Sequence, residues 1–207
     1  MAFSTPQDYT IRPGTLPDAA AMAQCNLESI RVAFAELMPA SWLHAPSTAD
    51  SYLTKWTDHL TPRPVPDGIH LLAETHSDSE PARVVAVANA GPLRPYIGLE
   101  SLDRATMLQL WTLYVHPTAQ GTGLGRRLFL EAVKSAHETW PACSDKLIVL
   151  TFEGNTNGRR FYEKLGGTLW GILPKYPLPL GGGNCDIATY EWDGVAEWIT
   201  KWEKGSR

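Results

Sequence analysis

Short apolar runs and helical stripes alternate along the chain, and each change of period predicts an element. "YTIRPG" at 9–14 reads as a first strand, and the Ala-rich stretch after Pro17 reads as two helices or one broken helix, ending before Pro39. The segment 40–66, with Trp42, Trp56 and four prolines, has the weakest pattern; "SYLTKWTDHL" within it reads as a further helix. Two β-rich runs follow, "GIHLLAET" at 68–75 and "RVVAVANAG" at 83–91, joined by the polar "HSDSEPA" as in a hairpin. "TMLQLWTLYVHP" at 106–117 is too long and too apolar for an exposed edge strand, which places it at the sheet centre, with Pro117 ending it. Leu124, Leu128, Ala132, Val133 and Ala136 then recur every three to four residues, the stripe of an amphipathic helix of about four turns.

The second half continues in the same way. "KLIVLTF" at 146–152 is a continuous apolar run, as expected of a strand covered on both faces. "NTNGRRFYEKLGG" reads as a helix with Asn155 or Asn157 near its start and Gly166 and Gly167 as its stop. "TLWGIL" and "CDIATYEWD" finish the sheet as antiparallel strands around the glycine turn "LGGGN", and Val195, Trp198, Ile199 and Trp202 form the docking stripe of a last helix over 195–203. Prolines and glycines are spread along the whole length and no repeat is present, so residues 1–207 are expected to form one domain carrying that extra C-terminal helix.

Composition narrows the function classes. With 18 basic against 22 acidic residues and a formal net charge of -4, the chain has no surface suited to a nucleic acid. Three scattered cysteines, Cys25, Cys143 and Cys185, fit neither a disulfide framework nor a metal site, so reduced thiols in a cytoplasmic protein and no bound metal are expected. No basic leader precedes an apolar run, and no window approaches the roughly 18 apolar residues of a membrane span. A monomer or a homodimer without membrane partners is the expectation.

Candidate chemistry centres on "QGTGLGRR" at 120–127. A P-loop would place a lysine and a hydroxyl residue after its last glycine, where Arg126 and Arg127 stand. The dinucleotide fingerprint has G-x-G-x-x-G, whereas Gly121, Gly123 and Gly125 give G-x-G-x-G. What remains is Gln120-x-x-Gly123-x-Gly125 between a central strand and a helix. Glycines there let backbone N–H groups converge at the positive end of a helix, which suits a pyrophosphate. A tight turn that only brings strand and helix close is the alternative.

"LYVHPTAQGTGLGRRLFLEAV" followed by "GNTNGRRFYEKLGG" resembles the GNAT superfamily of N-acetyltransferases. The resemblance implies an α/β fold with a mixed, mostly antiparallel central sheet and flanking helices, and acetyl-CoA as co-substrate. It implies that residues 120–126 (Gln120, Gly121, Thr122, Gly123, Leu124, Gly125 and Arg126) hold the pyrophosphate. It implies a bulged central strand whose backbone at Leu113, Tyr114 and Val115 binds the pantetheine arm, beside a splay from the strand at 146–152. Asn155, with Asn157 as substitute, would contact the cofactor, and either could instead cap a helix. Tyr162 would lie near the sulfur and protonate the thiolate, against the alternative of an aromatic packed under the helix.

The resemblance also shows a departure. Where many members carry a glutamate on the central strand, this chain has Gln109, and an amide takes no proton at neutral pH. Glu28, Glu74, Glu100 and Asp103 are more distant carboxylates that could serve through water. Arg126, Arg127, Arg159, Arg160 and Lys164 cluster at the two motifs, where CoA phosphates or plain solvent would suit them. Glu28, Arg31, Phe34, Trp42 and Trp111 are candidates for the acceptor pocket. The implied activity is transfer of an acetyl group to a primary amine of a small molecule or a lysine-like acceptor, by direct attack in a ternary complex; a non-catalytic acyl-CoA-binding module is the rival. The acidic balance leans toward a cationic acceptor.

Overall fold

The computed structural model describes residues 9–76, 81–96, 98–143, 145–177 and 183–205. Seven strands, β1 (Tyr9–Pro13), β2 (Ile69–Thr75), β3 (Val84–Pro92), β4 (Met107–Val115), β5 (Lys146–Phe152), β6 (Thr168–Pro177) and β7 (Asn184–Asp193), form one sheet in the order β1-β2-β3-β4-β5-β7-β6. All neighbouring pairs are antiparallel except β4 and β5. The fold is therefore mixed α/β with a mostly antiparallel sheet, and β4 lies at its centre as its apolar run predicts. The insertion of β7 between β5 and β6 has no signature in the apolar pattern.

Among the described residues six α-helices flank the sheet: α1 (Ala19–Ala33), α2 (Ala40–Leu43), α3 (Pro46–Leu60), α4 (Leu124–Thr139), α5 (Thr156–Lys164) and α6 (Val195–Gly205). The stretch from Pro17 to Pro39 thus holds one helix, which ends at Ala33, and a one-turn helix follows Pro39. Pro46 opens α3 at a first-turn position, where its missing N–H costs nothing. The stripe Leu124, Leu128, Phe129, Ala132, Val133 and Ala136 is at most 1% exposed and packs α4 on one sheet face, against Ala86, Ala88, Leu108 and Leu110. Residues alternate across a strand, so Leu72, Val87 and Tyr114 point to the other face and meet α1 and α3. Each fully buried leucine in such a layer is worth about 1.5–3 kcal/mol of transfer free energy. On α6, Val195 and Ile199 are buried, and Trp198 donates its indole N–H to the Leu165 carbonyl (2.9 Å).

Parts of the two turns read from the sequence, 76–82 and 180–184, lie outside the described residues. Among the described residues no helix is long and apolar enough to cross a membrane.

Candidate active site

Two irregularities in β4 create the site. Ala90 of β3 faces Leu110 while its neighbour Asn89 faces Thr112, so Trp111 is an extra, bulged residue that bends the strand. On the opposite edge the parallel pairing with β5 runs from Met107 and Lys146 to Leu110 and Val149 and then stops. Trp111 to Val115 and Leu150 to Phe152 continue unpaired across a gap. The His116 N–H donates back to Val85 on β3 (2.8 Å), so by strand alternation the N–H and C=O of Leu113 and Val115 point into that gap. A backbone donor facing a gap needs a partner from elsewhere.

The loop after β4 closes the gap at one end. Gln120 Nε2 donates to the Val115 carbonyl (2.9 Å), and the Thr122 hydroxyl donates to the Ala119 carbonyl (2.8 Å). Gly121 and Gly123 have φ of +77° and +84°, the left-handed region where a Cβ is strained, and a Cβ at either would meet nothing within 4 Å. Here glycine is required by backbone conformation, and the space beside it is open. Gly123 is the N-cap of α4, so the N–H groups of Gly125 and Arg126, in the first turn, have no intrahelical acceptor and present the positive end of the helix. Arg126 lays its guanidinium 3.7 Å over the Trp202 ring of α6.

These elements enclose a cleft of about 520 Å³ lined by Ser29, Val32 and Ala33 of α1, Leu113 to Val115, Gln120, Gly121, Gly123, Gly125, Arg126, Asn155, Asn157, Gly158, Phe161 and Tyr162. A smaller cavity of about 120 Å³ lies in the β4–β5 gap, lined by Phe34, Leu110 to Tyr114, Leu150 to Phe152, Asn155, Tyr162 and Ile187. Leu113, Tyr114, Asn155 and Tyr162 belong to both. The cleft is therefore lined by the glycine loop, and the cavity by side chains from both edges of the gap.

Tyr162 is at once packed and exposed to the site. Its ring sits among Phe129, Phe161, Tyr190 and Trp192, and it is 8% exposed. Burial raises its phenol well above the ordinary tyrosine value, so the group stays protonated at neutral pH, and its hydroxyl has no hydrogen bond among the described residues. Asn155 caps α5: its Oδ1 accepts from the Gly158 N–H and its Nδ2 donates to the Thr151 hydroxyl, both at 3.1 Å. The cap is thus Asn155, while Asn157, exposed in the first turn, lines the cleft alone.

Other predicted residues are placed elsewhere. Thr122 and Leu124 shape the loop without lining the cleft, because the Thr122 hydroxyl is turned to Ala119 and Leu124 is buried in the core. Glu28 lines neither cavity; its carboxylate accepts from Gln24 and pairs with Arg83 (3.1 Å) and His116 (3.2 Å). Glu74 is paired with Arg12, Asp103 accepts from the Ala105 N–H, and Glu100 accepts from the Gly98 N–H. Arg159 is held by Glu153 and the Tyr190 hydroxyl, and Arg31 by the Leu43 carbonyl. Gln109 is 1% exposed and accepts from the Arg94 backbone N–H (3.2 Å), so it fastens the segment after β3. Trp111 and Phe34 do line the smaller cavity. Among the described residues no group of three or more His, Cys, Asp or Glu comes together to hold a metal.

The sequence reading missed a polar group beside the smaller cavity. Lys55 Nζ lies 3.5 Å from the Thr112 hydroxyl, Arg94 stacks 3.6 Å over the Trp111 ring, and His59 stacks on His70 at 5.0 Å. The available signal was a lysine and a histidine within the apolar stripe Tyr52, Lys55, Trp56, His59 and Leu60 of α3.

Comparison with known proteins bears on this geometry. The model of the acetyltransferase (GNAT) family matches residues 27–167, more than half of the chain. A search of curated proteins found no match. Many solved structures share the fold. The acetyltransferase candidate yncA of Salmonella typhimurium, with its cofactor acetyl-CoA, is 19% identical, with a TM-score of 0.60 over 90% of this chain and 94% of that one. A GNAT-family acetyltransferase candidate of Desulfovibrio desulfuricans is 22% identical, with a TM-score of 0.62 over 90% and 99%. The paiA N-acetyltransferase of Thermoplasma acidophilum, in complex with coenzyme A, is 17% identical, with a TM-score of 0.59 over 90% and 99%.

Proposed function

The chain belongs to the GNAT family of acetyltransferases, and on that premise we propose that it moves an acetyl group from acetyl-CoA to a primary amine of a small-molecule or lysine-like acceptor. The observation that carries this reading is the meeting of the two cavities at Leu113, Tyr114, Asn155 and Tyr162. One chamber has the backbone donors and glycines that an anionic, elongated donor needs; the other is small and closed to it.

The residues present fit acetyl-CoA. The left-handed glycines leave open space, the first-turn N–H groups of α4 and the Arg126 guanidinium supply positive charge for a pyrophosphate, and the main chain of Leu113 and Val115 offers a strand edge to an amide-bearing arm. When bound, acetyl-CoA supplies an acetyl thioester. The chain's own part is then threefold. The Val115 or Leu113 N–H polarises the acetyl carbonyl, since both donors face the gap. Tyr162 donates a hydrogen bond to the sulfur and passes it the proton as the C–S bond breaks and the amine nitrogen bonds to the acetyl carbon; burial keeps the phenol protonated until that step, and water returns a proton to it afterwards. The proton lost from nitrogen goes to water, because Gln109 is an amide and its side-chain oxygen is already engaged.

Thiol release is the test. Incubation with acetyl-CoA and a broad amine panel, followed by a thiol reagent and mass analysis, should show CoA and an N-acetylated amine in equal amounts. Tight acetyl-CoA binding without release from any amine would leave a binding module instead.

A further inference from the structure

Two cations stand behind the wall of the smaller cavity. Lys55 reaches it through Thr112 and Arg94 through Trp111, both of which line it. Among the described residues neither cation has a carboxylate within ion-pair distance; Asp58 and Asp67, which act on Arg94 from further off, are paired with Arg63 at 2.7 and 2.6 Å. The two cations repel each other electrostatically, and burial drives Lys55 down to about 8. Burial also lowers Arg94 and holds His59, to about 4, and His70 in their neutral forms at neutral pH. Unpartnered polar atoms accompany them: the Trp111 indole N–H, and the two ring nitrogens of His59, one a donor and one an acceptor in the neutral ring. A half-buried cation with no contacting counter-ion has lost hydration that nothing in the protein replaces, which marks it as a group for a ligand to complete.

We propose that the acceptor carries a carboxylate as well as its amine, as an amino acid does, and that the Thr112 hydroxyl meets that carboxylate with the positive charges of Lys55 and Arg94 behind it. This rests on the acetyltransferase reading and names the acceptor class for the same site. Two cations behind a hydroxyl favour a carboxylate in front of it electrostatically, while Phe34, Phe152 and Ile187 leave an apolar wall for the remainder of the acceptor. The sign is opposite to the one that the net charge of the chain favours, because recognition depends on the charges at the cavity and not on their sum over the surface.

The test is calorimetric titration of the CoA-loaded protein with common α-amino acids, each against its own α-amide, which removes only the negative charge. At least one amino acid should bind about 100-fold more tightly than its amide, or about 2.8 kcal/mol at 1.4 kcal/mol per tenfold. In Lys55→Met and in Arg94→Gln that preference should fall to within a few-fold while CoA affinity is unchanged. Lys55→Met should also melt higher than the parent protein, since it removes a half-buried charge with no contacting counter-ion; a lysine with a purely structural role would lower the melting point. Equal affinity for acids and amides, no amino acid binding, or a preference that survives both substitutions overturns the proposal. Thiol release from acetyl-CoA in the same samples separates the two readings. Amino acids that bind without release remove the transferase and keep the site, whereas release with amines regardless of carboxylate keeps the transferase and removes the site.

Discussion

The cleft and the smaller cavity share Leu113, Tyr114, Asn155 and Tyr162 but are built from different material. The cleft is mostly main chain: two left-handed glycines, the first turn of α4 and the open edge of β4. The cavity is mostly side chain: Phe34 at the C-cap of α1, Trp111 and Thr112 at the bulge, Phe152 from β5, with Lys55 and Arg94 behind them. A main-chain site constrains sequence through backbone conformation, so it allows few residue types. A side-chain site can be assembled from many sets of residues on the same scaffold, and its chemistry belongs to the individual chain.

That contrast can be broken at four points. The largest effect is expected at Gly123, where valine would place a branched side chain at φ +84° and disturb the N-cap of α4. Calorimetry should show CoA affinity reduced by about 100-fold or more; undiminished binding would remove the loop from the donor site. Tyr162→Phe tests the junction: turnover should fall by about 100-fold with acetyl-CoA affinity within a few-fold of the parent, because the ring packing survives and only the proton donor is lost. Unchanged turnover would reduce Tyr162 to packing.

On the cavity side the effect is pH-dependent and smaller. Lys55 sits at about 8 in the folded protein against an ordinary 10.5, so its charge opposes folding. That cost is present in full below about pH 8 and fades as pH rises toward 10.5, so this residue makes the protein more stable with rising pH across that window. A carboxylate acceptor should bind about tenfold more weakly at pH 9.5 than at pH 7 as Lys55 loses its charge, and Lys55→Met should flatten both profiles. The smallest effect is expected at Trp202→Ala. Losing the ring under Arg126 should weaken CoA binding by about threefold, the size of one exposed cation–π contact.

The same contrast explains what was legible in the sequence. The central strand, the glycine loop, the α4 stripe and the α5 helix could be read because each imposes a period or a glycine on the chain. Asn155 and Asn157 could not be told apart, since both residue types cap helices and only the geometry shows that Asn155 bonds the Gly158 N–H. The bulge at Trp111 leaves no mark in an apolar run, and neither does the insertion of β7 beside β5. Lys55 was passed over because a long side chain in an apolar stripe usually carries its charge out to solvent; here α3 lies over β4 and keeps it in. Glu28 drew attention as an acid on the first helix, yet it faces Arg83 and His116, away from both cavities.

The central claim is that the two chambers form one site in which amine and thioester meet directly. Initial rates measured with acetyl-CoA and an acceptor varied together test it most directly. Intersecting double-reciprocal lines, with no acetyl group retained on the protein after acetyl-CoA alone, are the expected result. Parallel lines with a stably acetylated protein would contradict it.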